Sequence, residues 1–163
     1  MISKEGISNA LNAATKHLIT AINSFTSNSF NAKPANGGWS PAEVAEHILL
    51  LECTISDKIS GEAVEMNRKG YEKIEQFKSV LQSDFKINAP EAFYPKGNYT
   101  QAHLIAALQQ NRNKLLQQIH TIQLDKYPEN FRHPMLGGLS NYEWLYLVVY
   151  HAERHIKQMK AAV

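Results

Sequence analysis

Seven histidines occur in this chain of 163 residues, and three of them stand where their spacing could do chemistry. His151 and His155 are four apart, so in a helix they share one face, and that face continues an apolar stripe through Trp144 and Val148. Both rings should point inward. His47 lies three residues after Val44 and four before Leu51, at the border of another helix's buried stripe. A single inward imidazole is ordinarily a core residue satisfied by one hydrogen bond. Three together are costly to bury unless each finds a partner, and one divalent metal satisfies all of them at once. The remaining four, His17, His103, His120 and His133, fall where a polar surface or loop residue is expected.

Three neutral imidazoles on one ion leave a position open for water or substrate, which is the arrangement of a catalytic rather than a structural zinc site. A water held there ionises near neutral pH, or a substrate thiol coordinates and loses its proton. Gln158, three residues after His155, and Glu43, four before His47, lie on faces from which they could orient the rings. Each also has a plainer role, Glu43 as a helix cap and Gln158 as the solvent end of the stripe. Trp39 reads as a hydrophobic staple ahead of its helix. Cys53 is six residues beyond His47 and off its face, so a buried, inert thiol is expected.

The elements that must carry these residues are helices. Apolar residues recur at three-and-four spacing in four main segments, and strand alternation is nowhere convincing. The first segment carries Ile7, Leu11, Ala14, Leu18, Ile22 and Phe25, a helix from Ser3 to Ser27. The second opens on Ser40-Pro41-Ala42-Glu43, a capping box with proline at the first helical position, and carries Val44, Ile48, Leu51, Ile55 and Ile59 until it fades near Gly61. A third follows Thr100 with Leu104, Leu108, Leu115, Ile119 and Ile122. The fourth opens on a second capping box, Ser140-Asn141-Tyr142-Glu143, and holds the histidine pair. Five of the eight Gly and all six Pro gather at 34–41, 90–97 and 128–138, around the ends of these segments. The interval from Gly61 to Asn98 is too long for a turn and is partly helical from Tyr71 to Leu81, so it can cross the length of a bundle. With no repeat and no linker, residues 1–163 read as one all-α domain, a four-helix bundle with a long overcrossing connection between helices two and three.

Heights along the helices decide which way they run. At about 1.5 Å per residue, His47 sits roughly 10 Å from the start of the second helix, whereas His151 and His155 lie roughly 16 and 22 Å from the start of the fourth. Counted back from a helix end near Lys160, they are roughly 13 and 7 Å away, which brackets His47 if the two helices are antiparallel. The short loop before the fourth helix makes helices three and four antiparallel as well. Helices two and three must then be parallel, which only a long connection permits.

Composition narrows the partners. Seventeen Lys and Arg against 15 Asp and Glu leave a net charge of +2, with 44% hydrophobic and 20% charged residues. The two signs are interleaved, so the basic stripe that nucleic acid requires is missing. The longest apolar run, Trp144 to Tyr150, is far short of the roughly 20 residues of a membrane span. Met1-Ile-Ser-Lys-Glu-Gly lacks the features of a signal peptide, and one cysteine cannot form an internal disulfide, so a reducing cytoplasm is expected. Phe93 and Tyr94 in the connection are candidates for a homodimer contact.

The run Gly38-Trp39-Ser40-Pro41-Ala42-Glu43-Val44-Ala45-Glu46-His47, together with His151-Ala-Glu-Arg-His155-Ile-Lys-Gln158, resembles the DinB/YfiT-like superfamily of bacterial metalloenzymes. His133-Pro-Met-Leu-Gly137 is similar to what those proteins carry ahead of their last helix. The resemblance covers nearly the whole chain. It implies a four-helix bundle with an overcrossing connection, and a divalent metal, zinc or nickel among others, held by His47, His151 and His155. Some relatives attach or use low-molecular-weight thiols, so the activity implied is thiol S-transfer or hydrolysis on a small electrophilic molecule. The competing expectation is a non-catalytic bundle that binds metal structurally or dimerises.

Overall fold

The computed structural model describes residues 1–83, 86–97 and 99–162. Its elements are α1 (Lys4–Asn23), α2 (Ser27–Asn31), α3 (Pro41–Ile59), β1 (Ala63–Val64), α4 (Ile74–Gln82), α5 (Gln101–Thr121), β2 (Tyr127–Pro128) and α6 (Asn141–Ala161), with a 3-10 turn at Glu91–Phe93. The four long helices each start on a hydroxyl that accepts an otherwise orphaned backbone N–H: Ser3 from Gly6, Ser40 from Glu43, Thr100 from His103 and Ser140 from Glu143. Both expected capping boxes are closed, since Glu43 and Glu143 accept in return from Ser40 N and Ser140 N at 2.8 and 2.9 Å.

Side-chain pairs fix the helix directions. Ser3 N donates to Tyr142 Oη while His17 meets Glu153, so α1 and α6 run parallel. Lys4 Nζ reaches His120 O and Gln101 Nε2 reaches Ile22 O, so α1 and α5 are antiparallel. Glu52 pairs with Arg112 and Ser56 with Gln118, which makes α3 and α5 parallel. Finally, Ala42 and Val44 share a cluster with Ile156 and Met159, while Ile55 and Ile59 share one with Tyr142 and Trp144; α3 and α6 are antiparallel. The result is a four-helix bundle.

Between α3 and α5 the chain climbs along α6. It first pairs β1 with β2, Ala63 opposite Pro128 and Val64 opposite Tyr127. The buried carboxylate of Glu143 then gathers it in, accepting from Arg68 at 2.7 and 2.6 Å and from Lys73 N at 2.9 Å. Gly70 passes so close that an added Cβ would lie 2.9 Å from Asp125 O, so only glycine fits there. Phe77 of α4 packs on Tyr150 of α6, and Arg154 donates to Leu81 O. The segment 91–97 reaches the N-terminal half of α3. Asn98, the expected end of this connection, lies outside the described residues.

The core is split in two by polar residues at one level. Below lie Leu11, Ile55, Leu115 and Trp144; above lie Leu18, Ile48, Leu108 and Ile156. Between them Glu52 and Arg112, 0% and 1% exposed, form a two-pronged ion pair, and Arg112 also reaches Thr15 Oγ1 at 3.3 Å. Burial pushes the Glu52 carboxyl above its ordinary value, and Arg112 pulls it back. His151 of α6 is buried close enough to this pair to feel the Arg112 charge.

Several local expectations are corrected. The first helix ends at Asn23 rather than Ser27, because Ser24 Oγ bonds Ala21 O and Thr26 caps a new helix on Ser29 N. A two-residue strand pair exists where none was expected, and the middle helix spans Ile74–Gln82 rather than 71–81. The buried face of α3 includes Glu52 and Ser56, whereas Leu51 is only half-buried. Hydropathy alone turned that face toward leucine, because a charged residue reads as exposed until its partner is known.

Breaking the central pair leaves a charge buried without its counter-ion. Arg112→Met should therefore lower unfolding free energy by about 3–5 kcal/mol in urea titration, and adding Glu52→Leu should recover most of it. Full stability in the single variant would contradict the assignment.

Candidate metal centre

Capping sets the registers of the two helices that matter. Ser40 places His47 two turns into α3, and Ser140 places His151 and His155 in the last three turns of α6, facing it. His47 Nε2 and His155 Nε2 each lie 3.1 Å from His151 Nε2. The three ligand atoms all fall within 4.8 Å of one another, and His47 and His151 are buried. His47 sits against both rings of the pair, with centroids 5.0 and 4.7 Å away.

Proton counting shows what these nitrogens can do. Phe93 O, a carbonyl that can only accept, lies 2.8 Å from His47 Nδ1, so that nitrogen carries the proton and Nε2 presents a lone pair. Gln158 Oε1 accepts from His155 Nδ1 at 2.6 Å and leaves its Nε2 bare in the same way. His151 Nε2 faces both lone pairs and can donate to only one. Its Nδ1 is buried without a hydrogen-bond partner among the described residues. At least one lone pair therefore points into a closed space with no proton to meet, which a cation resolves. Nitrogens about 2.0–2.1 Å from one zinc ion would be about 3.3 Å apart in a tetrahedral site, close to the spacing present.

The electrostatics agree. Burial holds His47 below its ordinary pKa, with the Phe93 carbonyl opposing. His151 is held well below, first by burial and then by His155, His47, Arg112 and Arg154. His155 is pushed down to about 3 by burial and by His47, against the pull of Gln158. Neutral imidazoles are the form that binds metal.

Around this point the structure sorts the other expected residues. Gln158 does orient His155. The Glu43 carboxylate closes the cap and pairs with Lys33. Trp39 packs with the cluster containing Val44, and its ring also lies 5.0 Å from that of His47. Cys53 is half-buried, and burial raises its thiol pKa, so it is not an activated nucleophile. His17, His103 and His120 are exposed; His133 is half-buried, its Nδ1 accepting from Met135 N and Leu136 N. Tyr94 stays 48% exposed but packs edge-on against Trp39. The sequence reading missed Glu46 and the Phe93 carbonyl. Adjacency to His47 could have flagged Glu46, whereas a backbone carbonyl delivered by a loop leaves no signature.

The fold and this cluster define a four-helix bundle with three converging histidines, and known proteins share the bundle fold. The DinB superfamily family model matches residues 10–159, and the chain belongs to that superfamily. No curated protein sequence matches it. Among solved structures, TT2238, a four-helix bundle protein, superposes with a TM-score of 0.63 at 21% identity, covering 98% of this chain and 99% of that one. YfiT from Bacillus subtilis, described as a probable metal-dependent hydrolase with an unusual four-helix bundle topology, gives 0.64 at 16% identity, covering 99% of this chain and 88% of that one. Among the described residues no helix is long and apolar enough to cross a membrane.

Depressed histidine pKa values make stability depend on pH. The unfolded imidazoles take up protons near the ordinary value of 6.5 and the folded ones only below it, His155 at about 3, so the contribution is full above 6.5 and drains as pH falls through the lowered values. In excess chelator the melting temperature should fall between pH 7 and pH 4, with a shallower slope for His155→Phe. A melting temperature that rises on acidification would contradict this account.

Proposed function

We propose that the protein is a divalent-metal-dependent enzyme that holds its ion on His47, His151 and His155 and acts on a small electrophilic molecule. The observation that supports this most is the convergence of three Nε2 atoms, two of them locked as lone pairs by Phe93 O and Gln158 Oε1. When bound, the ion supplies a Lewis acid that lowers the pKa of a water or thiol at its open position.

The chain's own residues supply the rest. The two Nδ1–H groups keep their rings in one tautomer, so no reorganisation is needed when the ion enters. Trp39 and the carbonyl of Phe93 close one side of His47. Burial keeps the imidazoles neutral across the physiological range. Hydrolysis is the leading reaction because the YfiT neighbour is described as a probable metal-dependent hydrolase. Transfer of a low-molecular-weight thiol would use the same ligands with sulfur as the nucleophile. Zinc and nickel both suit imidazole donors. In this reading residues 1–163 act as one domain of a cytoplasmic protein, with Tyr94 available to a second copy.

Untagged protein should carry one divalent ion per chain by elemental analysis, and His47→Ala and His155→Ala should each lower affinity at least 100-fold. The loaded protein should then turn over members of a panel of activated esters and amides, or couple a biological thiol to a generic electrophile, with loss on chelation. Unchanged metal content in both variants would falsify the site. Metal that only raises melting temperature, with no turnover across the panel, would favour the non-catalytic reading.

A further inference from the structure

The 91–97 segment reaches the centre through the Phe93 carbonyl, and it is also bonded by the residue that precedes the ligand His47. Glu46 precedes His47 on α3 and is only 2% exposed. A carboxylate so placed must find donors, and among the described residues no Lys or Arg pairs with it. Its oxygens are taken instead by two successive backbone N–H groups of the segment: Lys96 N donates to Oε1 and Gly97 N to Oε2, both at 2.8 Å. Successive N–H groups that point at one anion form a nest, which needs a left-handed residue, and Gly97 supplies it with φ +73°. Three residues back along the segment, Phe93 O accepts a hydrogen bond from His47 Nδ1–H. Tyr94 lies between the two anchor points and rests on Trp39, which itself packs on His47.

We propose that Glu46 is a positioning residue: by clamping the N–H groups of Lys96 and Gly97 it holds the Phe93 carbonyl on His47, and so fixes the tautomer that turns the Nε2 lone pair toward His151 and His155. This rests on the metal reading for its consequence but not for its geometry. Consecutive residues on a helix point about 100° apart, so Glu46 and His47 grip the segment from two directions. A carboxylate accepts from both N–H groups, whereas an amide of the same size accepts from one and presents its own N–H₂ to the other. With the clamp half open, the Phe93 carbonyl is no longer held, and His47 is free to put its proton on Nε2, where it blocks the ligand position.

The test compares Glu46→Gln and Glu46→Asp with wild type. Ser56→Ala, at another buried polar residue of α3 whose hydroxyl bonds Gln118 of α5, serves as the control for general destabilisation. In metal-free protein, long-range nitrogen-proton NMR should show His47 as a single Nδ1–H tautomer in wild type and Ser56→Ala, and as a mixture in both Glu46 variants. Zinc affinity, read by competition with a chromophoric chelator, should fall about 10–100-fold in the Glu46 variants and stay within about twofold of wild type in the control. A single Nδ1–H tautomer and wild-type affinity in folded Glu46 variants would overturn the proposal. If His47→Ala leaves zinc binding intact, the metal reading fails instead, and the tautomer measurement still decides the role of Glu46.

Discussion

Three imidazoles meeting inside a bundle impose a strict condition, because each nitrogen at the meeting point must be a lone pair or find a proton acceptor. His47, His151 and His155 bring three Nε2 atoms together, and the far nitrogens of two rings are occupied by Phe93 O and Gln158 Oε1. That condition reaches well beyond the site. It requires the N-terminal half of α3 to lie beside the C-terminal half of α6, hence antiparallel helices, hence a return path for the chain before α5 begins. The helix order, the long connection and the placement of the 91–97 segment all serve one small volume.

The bundle carries other buried polar residues near this site. Glu52, Arg112 and Thr15 stand between the two halves of the apolar core. A buried ion pair is a poor source of stability, since desolvation offsets most of the attraction. Its effect is directional. Only one register of α3 against α5 lets the Arg112 fork meet the Glu52 carboxylate, so slippage by a turn would leave both charges bare. Arg112 also adds positive potential near His151, which favours the neutral ring.

Two further glutamates show how the connection is held without a core of its own. Glu143 takes Arg68 and Lys73 N where the connection leaves the lower end, and Glu46 takes Lys96 N and Gly97 N where it arrives at the upper end. Each is a buried carboxylate on a bundle helix, and each accepts backbone N–H groups that the loop could not satisfy internally. Glu143 does this while closing a capping box, so one side chain fixes the start of α6 and the start of the climb. The connection is thereby tied to the two helices that bear the histidines.

Much of this was legible in the chain. Ser40 and Ser140 with glutamates three residues on fixed both helix starts to the residue, and three-and-four spacing placed His151 and His155 on one inward face. Helix heights, on the premise that the three histidines meet, pointed to antiparallel α3 and α6. These features depend on neighbours within one turn, where sequence spacing and geometry are the same thing. The end of α1 and the β1–β2 pair were not legible, because they turn on competition between local hydrogen bonds or on partners far apart in number, such as Val64 and Tyr127. Nor were the buried roles of Glu46, Glu52 and Arg112. A charge is buried only when a partner is delivered to it by another element, so sequence determined where the imidazoles stand along their helices, and tertiary structure decided which lone pairs they present.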